Sequence, residues 1–270
     1  MAYSAQRGPQ GRGPGRPGEE EPALAYGRNP VAELLKSGAA VDTVYIQDTM
    51  APREAAYYQA LARQAGAVAK RVRAAKLSAL CGTDSHQGVA ARGAQVAYCT
   101  LEDILAAAAA AGQPPFVLLC DGVEDPHNLG ALIRTALLCG VHGVVIPRRG
   151  GVAVTPTVMK ASAGAAARMP IARVANIGQA VRRLKQENIF VYCADIDGVP
   201  LESTDLSGPV AIVAGAEGKG ASPLVKGLCD GSVRLAMCAG GTGVDSYNVS
   251  VATGIVLYRV LCRRSAAQNG

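Results

Sequence analysis

The chain contains no tryptophan and two phenylalanines, and aromatic residues make up 4% of it. Alanine, valine and leucine must therefore build the core, drawn from an apolar content of 49%. None of the eight cysteines, at 81, 99, 120, 139, 193, 229, 238 and 262, shows the two-residue spacing of zinc or dithiol redox motifs. They are expected to be small buried apolar side chains in a reducing compartment. Long apolar runs are missing too, since the longest alanine-rich one, 104–111, is too short to cross a bilayer. Arginines near the start lack the apolar stretch of a signal peptide, and Glu19, Glu20 and Glu21 speak against a transit peptide. The expectation is a soluble, cytoplasmic protein with no membrane partner. No paired carboxylates, metal-ligand cluster or serine, histidine and aspartate set stands out, so no metal is expected. Gly215, Gly218 and Gly220 lack a following lysine and serine or threonine in the spacing of a phosphate loop, and the loop after Cys120 lacks the clustered glycines of a dinucleotide fingerprint.

What is present is organised in sections. The 270 residues suffice for a full core and two domains, and a net charge of +6 permits an acidic partner such as RNA. Residues 1–23 are rich in glycine, proline and arginine without apolar anchors and read as a disordered basic tail. Residues 24–98 alternate helix and strand signals: a helix over 31–35, a strand over 41–46, a helix over 55–65, a strand over 68–72 and one or two strands in 89–98. This small α/β domain holds nine basic against five acidic residues, whereas 99–270 hold 15 against 13. The basic run Lys70, Arg71, Arg73 and Lys76 reads either as a phosphate contact or as a strand edge protected by charge. His86 reads as a turn or core residue.

Residues 99–114 form a linker with a helix over 100–112 ahead of Pro114 and Pro115. Beyond it, strands are expected at 116–120, 143–146, 171–174, 189–193, 210–214 and 233–237. Helices are expected at 129–139, 156–167, 177–187, 223–228 and 248–263. Continuous apolar strands alternating with amphipathic helices predict an α/β fold with a parallel sheet covered on both faces. Polar loops follow three strands, at 121–128, 215–220 and 238–248, and the shared carboxyl edge of a parallel sheet lets them meet at one site. The last is the most telling. A strand leads through Gly240, Gly241 and Gly243 to Ser246 or Asn248, either of which can cap the following helix. Small residues including Gly254 sit in that helix's first turns, which implies something packed very close.

These three loops resemble the three motifs of the SpoU/TrmH family of RNA 2′-O-ribose methyltransferases. The resemblance rests on Asp121, Gly122, Val123, Asp125 to Ala131 and Arg134, then Gly215 to Gly218, then Asn248 to Ala252. Tyr26 to Pro30 and His86 to Gly88 resemble the family's small ribosomal-protein-like RNA-binding domain. It implies a parallel-sheet methyltransferase domain over 115–270 with a C-terminal trefoil knot, preceded by that domain at 24–98. S-adenosylmethionine is the implied cofactor, touched by Gly215, Leu235 and Tyr247. Asn128, Arg134, Glu217, Ser246 and Asn248 are the implied active site. A guanosine ribose of 23S ribosomal RNA, free or in a pre-ribosomal particle, is the implied substrate, and a homodimer through the C-terminal helix the implied assembly. Methylation of adenosine or of transfer RNA, and a non-catalytic RNA-binding role, stay open. The chain departs from the family pattern at Ala236, commonly proline, at Tyr247, commonly leucine, and in a longer loop between Met237 and Asn248.

Overall fold

The computed structural model describes residues 24–36, 40–94, 96–238 and 246–268. The expected tail and the glycines Gly240, Gly241 and Gly243 lie outside these residues.

The small domain holds strands β1 (Leu24–Tyr26), β2 (Val41–Gln47), β3 (Val68–Val72) and β4 (Val89–Gly93), in the sheet order β1-β4-β2-β3. Helices α1 (Arg28–Lys36), α2 (Pro52–Gln64) and α3 (Ala74–Cys81) connect them. α3 and the three-residue β1 were not expected. Only Leu77 of α3 is buried, so its apolar periodicity is faint. β3 is one of the two outer strands and pairs with β2 among the described residues, with Lys70 and Arg71 exposed. That geometry agrees with the reading of a charged edge. His86 is buried, its Nδ1 accepting from the Gly88 amide at 3.0 Å and its Nε2 3.1 Å from Ser78 Oγ.

The linker helix α4 (Leu101–Ala110) starts at a capping box in which Thr100 and Asp103 exchange hydrogen bonds. Thereafter come β5 (Phe116–Cys120), α5 (Pro126–Leu138), β6 (Gly143–Pro147), α6 (Pro156–Ala161), a 3-10 turn (Ala165–Ala167) and β7 (Ile171–Val174). They are followed by α7 (Ile177–Gln186), β8 (Phe190–Pro200), a second 3-10 turn (Leu201–Ser203), β9 (Val210–Ala214), α8 (Pro223–Leu228), β10 (Gly231–Arg234) and α9 (Val249–Gln268). All six strands are parallel, in the order β10-β8-β9-β5-β6-β7. Alternation along β5 builds both layers: Phe116, Leu118 and Cys120 join α5 and α9, while Val117 and Leu119 join α4 and α7.

Three expectations need correction. β10 spans Gly231–Arg234 rather than 233–237, because the chain leaves the sheet at Leu235 to line a cleft. β8 runs to Pro200 because it pairs with β10 twice, through Tyr192 and Cys193 and again through Val199 and Pro200. The residues between bulge outward. The cysteines are also not uniformly buried, since Cys238 is exposed.

Candidate active site

The loop after β5 is set by local chemistry. Asp125 caps α5 by accepting from the His127 amide at 3.0 Å, and Pro126 fills the first helical position, where a missing N–H costs nothing. Asn128 then faces inward, 7% exposed. It is therefore not the helix cap that its residue type would suggest. The loop after β9 is locked to it, because Asp121 accepts from the Ser222 amide at 2.8 Å. Gly215 is obligatory there, since an added Cβ would lie 2.0 Å from the carbonyl carbon of Gly220. The third loop returns at Ser246, and Asn248 caps α9 by accepting from the Ser250 amide at 2.9 Å.

Three side chains from these loops close a triangle. Asn248 Nδ2 donates to Asn128 Oδ1 at 3.0 Å and to Glu217 Oε1 at 3.1 Å, and Asn128 Nδ2 donates to Glu217 Oε2 at 3.2 Å. The capping bond fixes which end of the Asn248 amide is oxygen, so its two N–H groups have to face Asn128 and Glu217. One carboxylate thus orients two amides through charge-assisted bonds, a rigid polar arrangement suited to positioning a hydroxyl.

Beside the triangle opens a cleft of about 330 Å³. Gly215, Glu217, Leu235, Ser246 and Tyr247 line it, together with apolar Val233, Met237, Val249 and Ala252. The bulge of β8 supplies a further wall at Ala194–Asp197, where Asp195 pairs with Lys226 at 2.8 Å. Burial works against the Asp195 carboxylate, but hydrogen bonds from Lys226 and from the Asp197 amide outweigh it and hold the group below its ordinary value. Tyr247 donates its hydroxyl to the Ala236 carbonyl at 3.1 Å, so the two departures from the family pattern bond to each other across the cleft mouth. The volume suits a ligand of cofactor size, and Gly215 lets a ligand approach the backbone closely.

Comparison with known proteins agrees with this geometry. The model of the SpoU rRNA methylase family matches residues 115–258, across all three loops. The chain belongs to this family. A second model, described as RNA 2′-O ribose methyltransferase substrate binding, matches residues 24–99. A Bacillus subtilis protein assigned to the TrmH family of tRNA/rRNA methyltransferases is 38% identical over 240 residues, covering 88% of this chain and 95% of its own. An AdoMet-bound rRNA methyltransferase from Sinorhizobium meliloti superposes with a TM-score of 0.54 at 25% identity, over 88% of this chain and 85% of that one. The SpoU methyltransferase AviRb from Streptomyces viridochromogenes, in complex with AdoMet, gives 0.56 at 22% identity over 90% of each chain and shows the shared fold.

Of the eight expected site residues, the structure joins Asn128, Glu217 and Asn248 directly and sets Gly215, Leu235, Ser246 and Tyr247 on the cleft with Glu217. Arg134 stands apart. It is exposed, does not line the cleft and pairs with none of the described residues. Sequence reasoning missed the Asp195–Lys226 pair, which only the β8 bulge brings to the site, and Thr253, a fully buried cleft residue whose hydroxyl has no partner among the described residues. Within one chain, an added Cβ at Gly254 would meet Thr135 Cγ2 at an ordinary 3.5 Å. Among the described residues no cluster of potential metal ligands occurs and no helix is long and apolar enough to cross a membrane.

Proposed function

We propose that this member of the SpoU family transfers the methyl group of S-adenosylmethionine to a ribose 2′-hydroxyl, most specifically of a guanosine in 23S ribosomal RNA. The observation that carries the reading is the Asn128–Glu217–Asn248 triangle on the rim of a cofactor-sized cleft. Gly215, Leu235 and Tyr247 would hold the cofactor, which supplies an electrophilic methyl group when bound. Asn128, which keeps one N–H free among the described residues, and Ser246 position the ribose hydroxyl, and Asn248 and Glu217 hold Asn128 in place for it. Holding a weak nucleophile in line lowers the barrier by several kcal/mol.

The remaining need is charge stabilisation on the oxygen as the hydroxyl proton passes to solvent water. Arg134 acts by binding the ribose or an adjacent phosphate and stabilising the developing alkoxide through its guanidinium. In this reading the C-terminal segment threads a trefoil knot, and a second copy packs on the open apolar groove of Ala131, Thr135, Val251, Gly254, Ile255 and Tyr258. The division of labour is a tail at 1–23, an RNA-binding domain at 24–98, a linker at 99–114 and a methyltransferase domain at 115–270, in a cytoplasmic protein that meets its RNA free or within a pre-ribosomal particle.

Methyl-labelled cofactor and unmodified bacterial ribosomal RNA test the assignment. Label beside guanosine in 23S RNA is the expected result, and label beside adenosine or in transfer RNA would contradict it. Arg134→Ala is expected to slow transfer on the order of 100-fold to 10,000-fold. Arg134→Lys is expected to be slowed as well, and nearly full activity there would rule out a role for the planar guanidinium.

A further inference from the structure

The modest net charge conceals a sharp division within the large domain. Between Asp125 and Glu187 the chain has no aspartate or glutamate but nine arginines and lysines. Arg182, Arg183 and Lys185 lie on α7, on one side of the sheet, where Arg183 and Lys185 are neutralised by Glu102, Glu187 and Asp230. Arg173 is buried against Asp42. The other five are not paired with any carboxylate among the described residues, and Arg134, Arg149, Lys160 and Arg168 are exposed.

Arg148 turns to the other layer, where it donates to the Arg173 carbonyl at 3.4 Å beside Glu102 and Arg183. The remaining four surround one helix. Gly130 of α5 lies so close to α6 that an added Cβ would be 2.5 Å from Ala161 Cβ, which brings neighbouring Lys160 beside the α5 face where Arg134 stands one turn on. Arg168 follows the 3-10 turn whose Ala165 and Ala166 share a core with Ile133 and Leu132 of α5. The loop carrying Arg148 and Arg149 is tied to the loop before α5, because the Val152 amide donates to the Val123 carbonyl at 2.9 Å. Asn128 lies in the first turn of the same α5. Beyond the exposed Glu124 and Asp125 at the start of α5, basic residues on three neighbouring elements therefore gather around this helix, and a polyanion is the partner that such a surface suits.

We infer that Arg134, Arg149, Lys160 and Arg168 form a track for the sugar–phosphate backbone of the substrate RNA beyond the target nucleotide. The inference rests on the RNA methyltransferase reading and names where the strand runs. The test is fluorescence anisotropy of a mixed-sequence 20-nucleotide single-stranded RNA over a salt series, with binding of S-adenosylhomocysteine as the check of an intact cleft. In Arg149→Gln/Lys160→Gln/Arg168→Gln, the slope of log affinity against log salt is expected to fall by about 2 and affinity on the order of 10-fold, with S-adenosylhomocysteine binding unchanged. Arg182→Gln, an exposed charge on the opposite layer, is expected to leave both as in the wild type. A wild-type salt slope in the triple variant, or an equal loss from Arg182→Gln, would overturn the track and leave the enzymatic reading intact. Wild-type protein that binds S-adenosylhomocysteine but no RNA would instead overturn the RNA substrate itself.

Discussion

Asn248 carries two roles that one substitution separates. Its Oδ1 caps α9, while its Nδ2 joins Asn128 and Glu217. Serine at this position keeps an acceptor for the cap but has neither the reach nor the two N–H groups for the triangle. Asn248→Ser is therefore expected to melt close to the wild type while losing methyl transfer on the order of 100-fold, and Asn248→Ala to lose about 1 kcal/mol of stability as well. Melting curves beside a transfer assay check both, and an active Asn248→Ser would remove the triangle from the chemistry. Asn248 was legible in the sequence because a polar cap after a glycine-rich loop is a local signal. Thr253 and Asp195 were not, since a lone threonine in a helix and a lone aspartate in a strand look ordinary until a bulge and a helix wall bring them together.

At the scale of elements, the far end of α9 fastens the sheet. Arg264 donates to the carbonyls of Pro114, Pro115 and Gly208 at 2.8, 2.9 and 2.8 Å, and its guanidinium lies 4.9 Å from the centre of the Phe116 ring. Lysine cannot span three carbonyls and stack on a ring at once. Arg264→Lys is expected to cost about 2 kcal/mol, read from the urea midpoint, and an unchanged midpoint would show the clamp to be idle. Elements with strong periodicity were visible beforehand: β5, β9 and α8 fall within the expected limits. α3 and β1 were invisible because one buries a single large side chain and the other is three residues long. The end of β10 was misplaced because Leu235, Ala236 and Met237 are apolar for the sake of a cleft and its mouth, not a sheet.

For the whole molecule, the relation of the small domain to the large one depends on Arg173, which meets Asp42 of β2 at 2.6 Å with side chains 6% and 17% exposed and stacks on Tyr98. Asp42→Asn leaves that guanidinium buried without its counter-charge, an expected loss of about 3 kcal/mol with faster proteolysis between the domains, and wild-type resistance would contradict it. Nothing in the sequence links residues 42 and 173, because the pairing follows from how two folded units meet. The central claim is that the cleft and the triangle together methylate a ribose. Alkaline hydrolysis of RNA labelled by the protein and methyl-labelled S-adenosylmethionine tests it most directly, because a methylated 2′ oxygen can no longer attack the adjoining phosphodiester. Label in alkali-resistant dinucleotides is the predicted result, and label released in mononucleotides would mean base methylation and contradict the account.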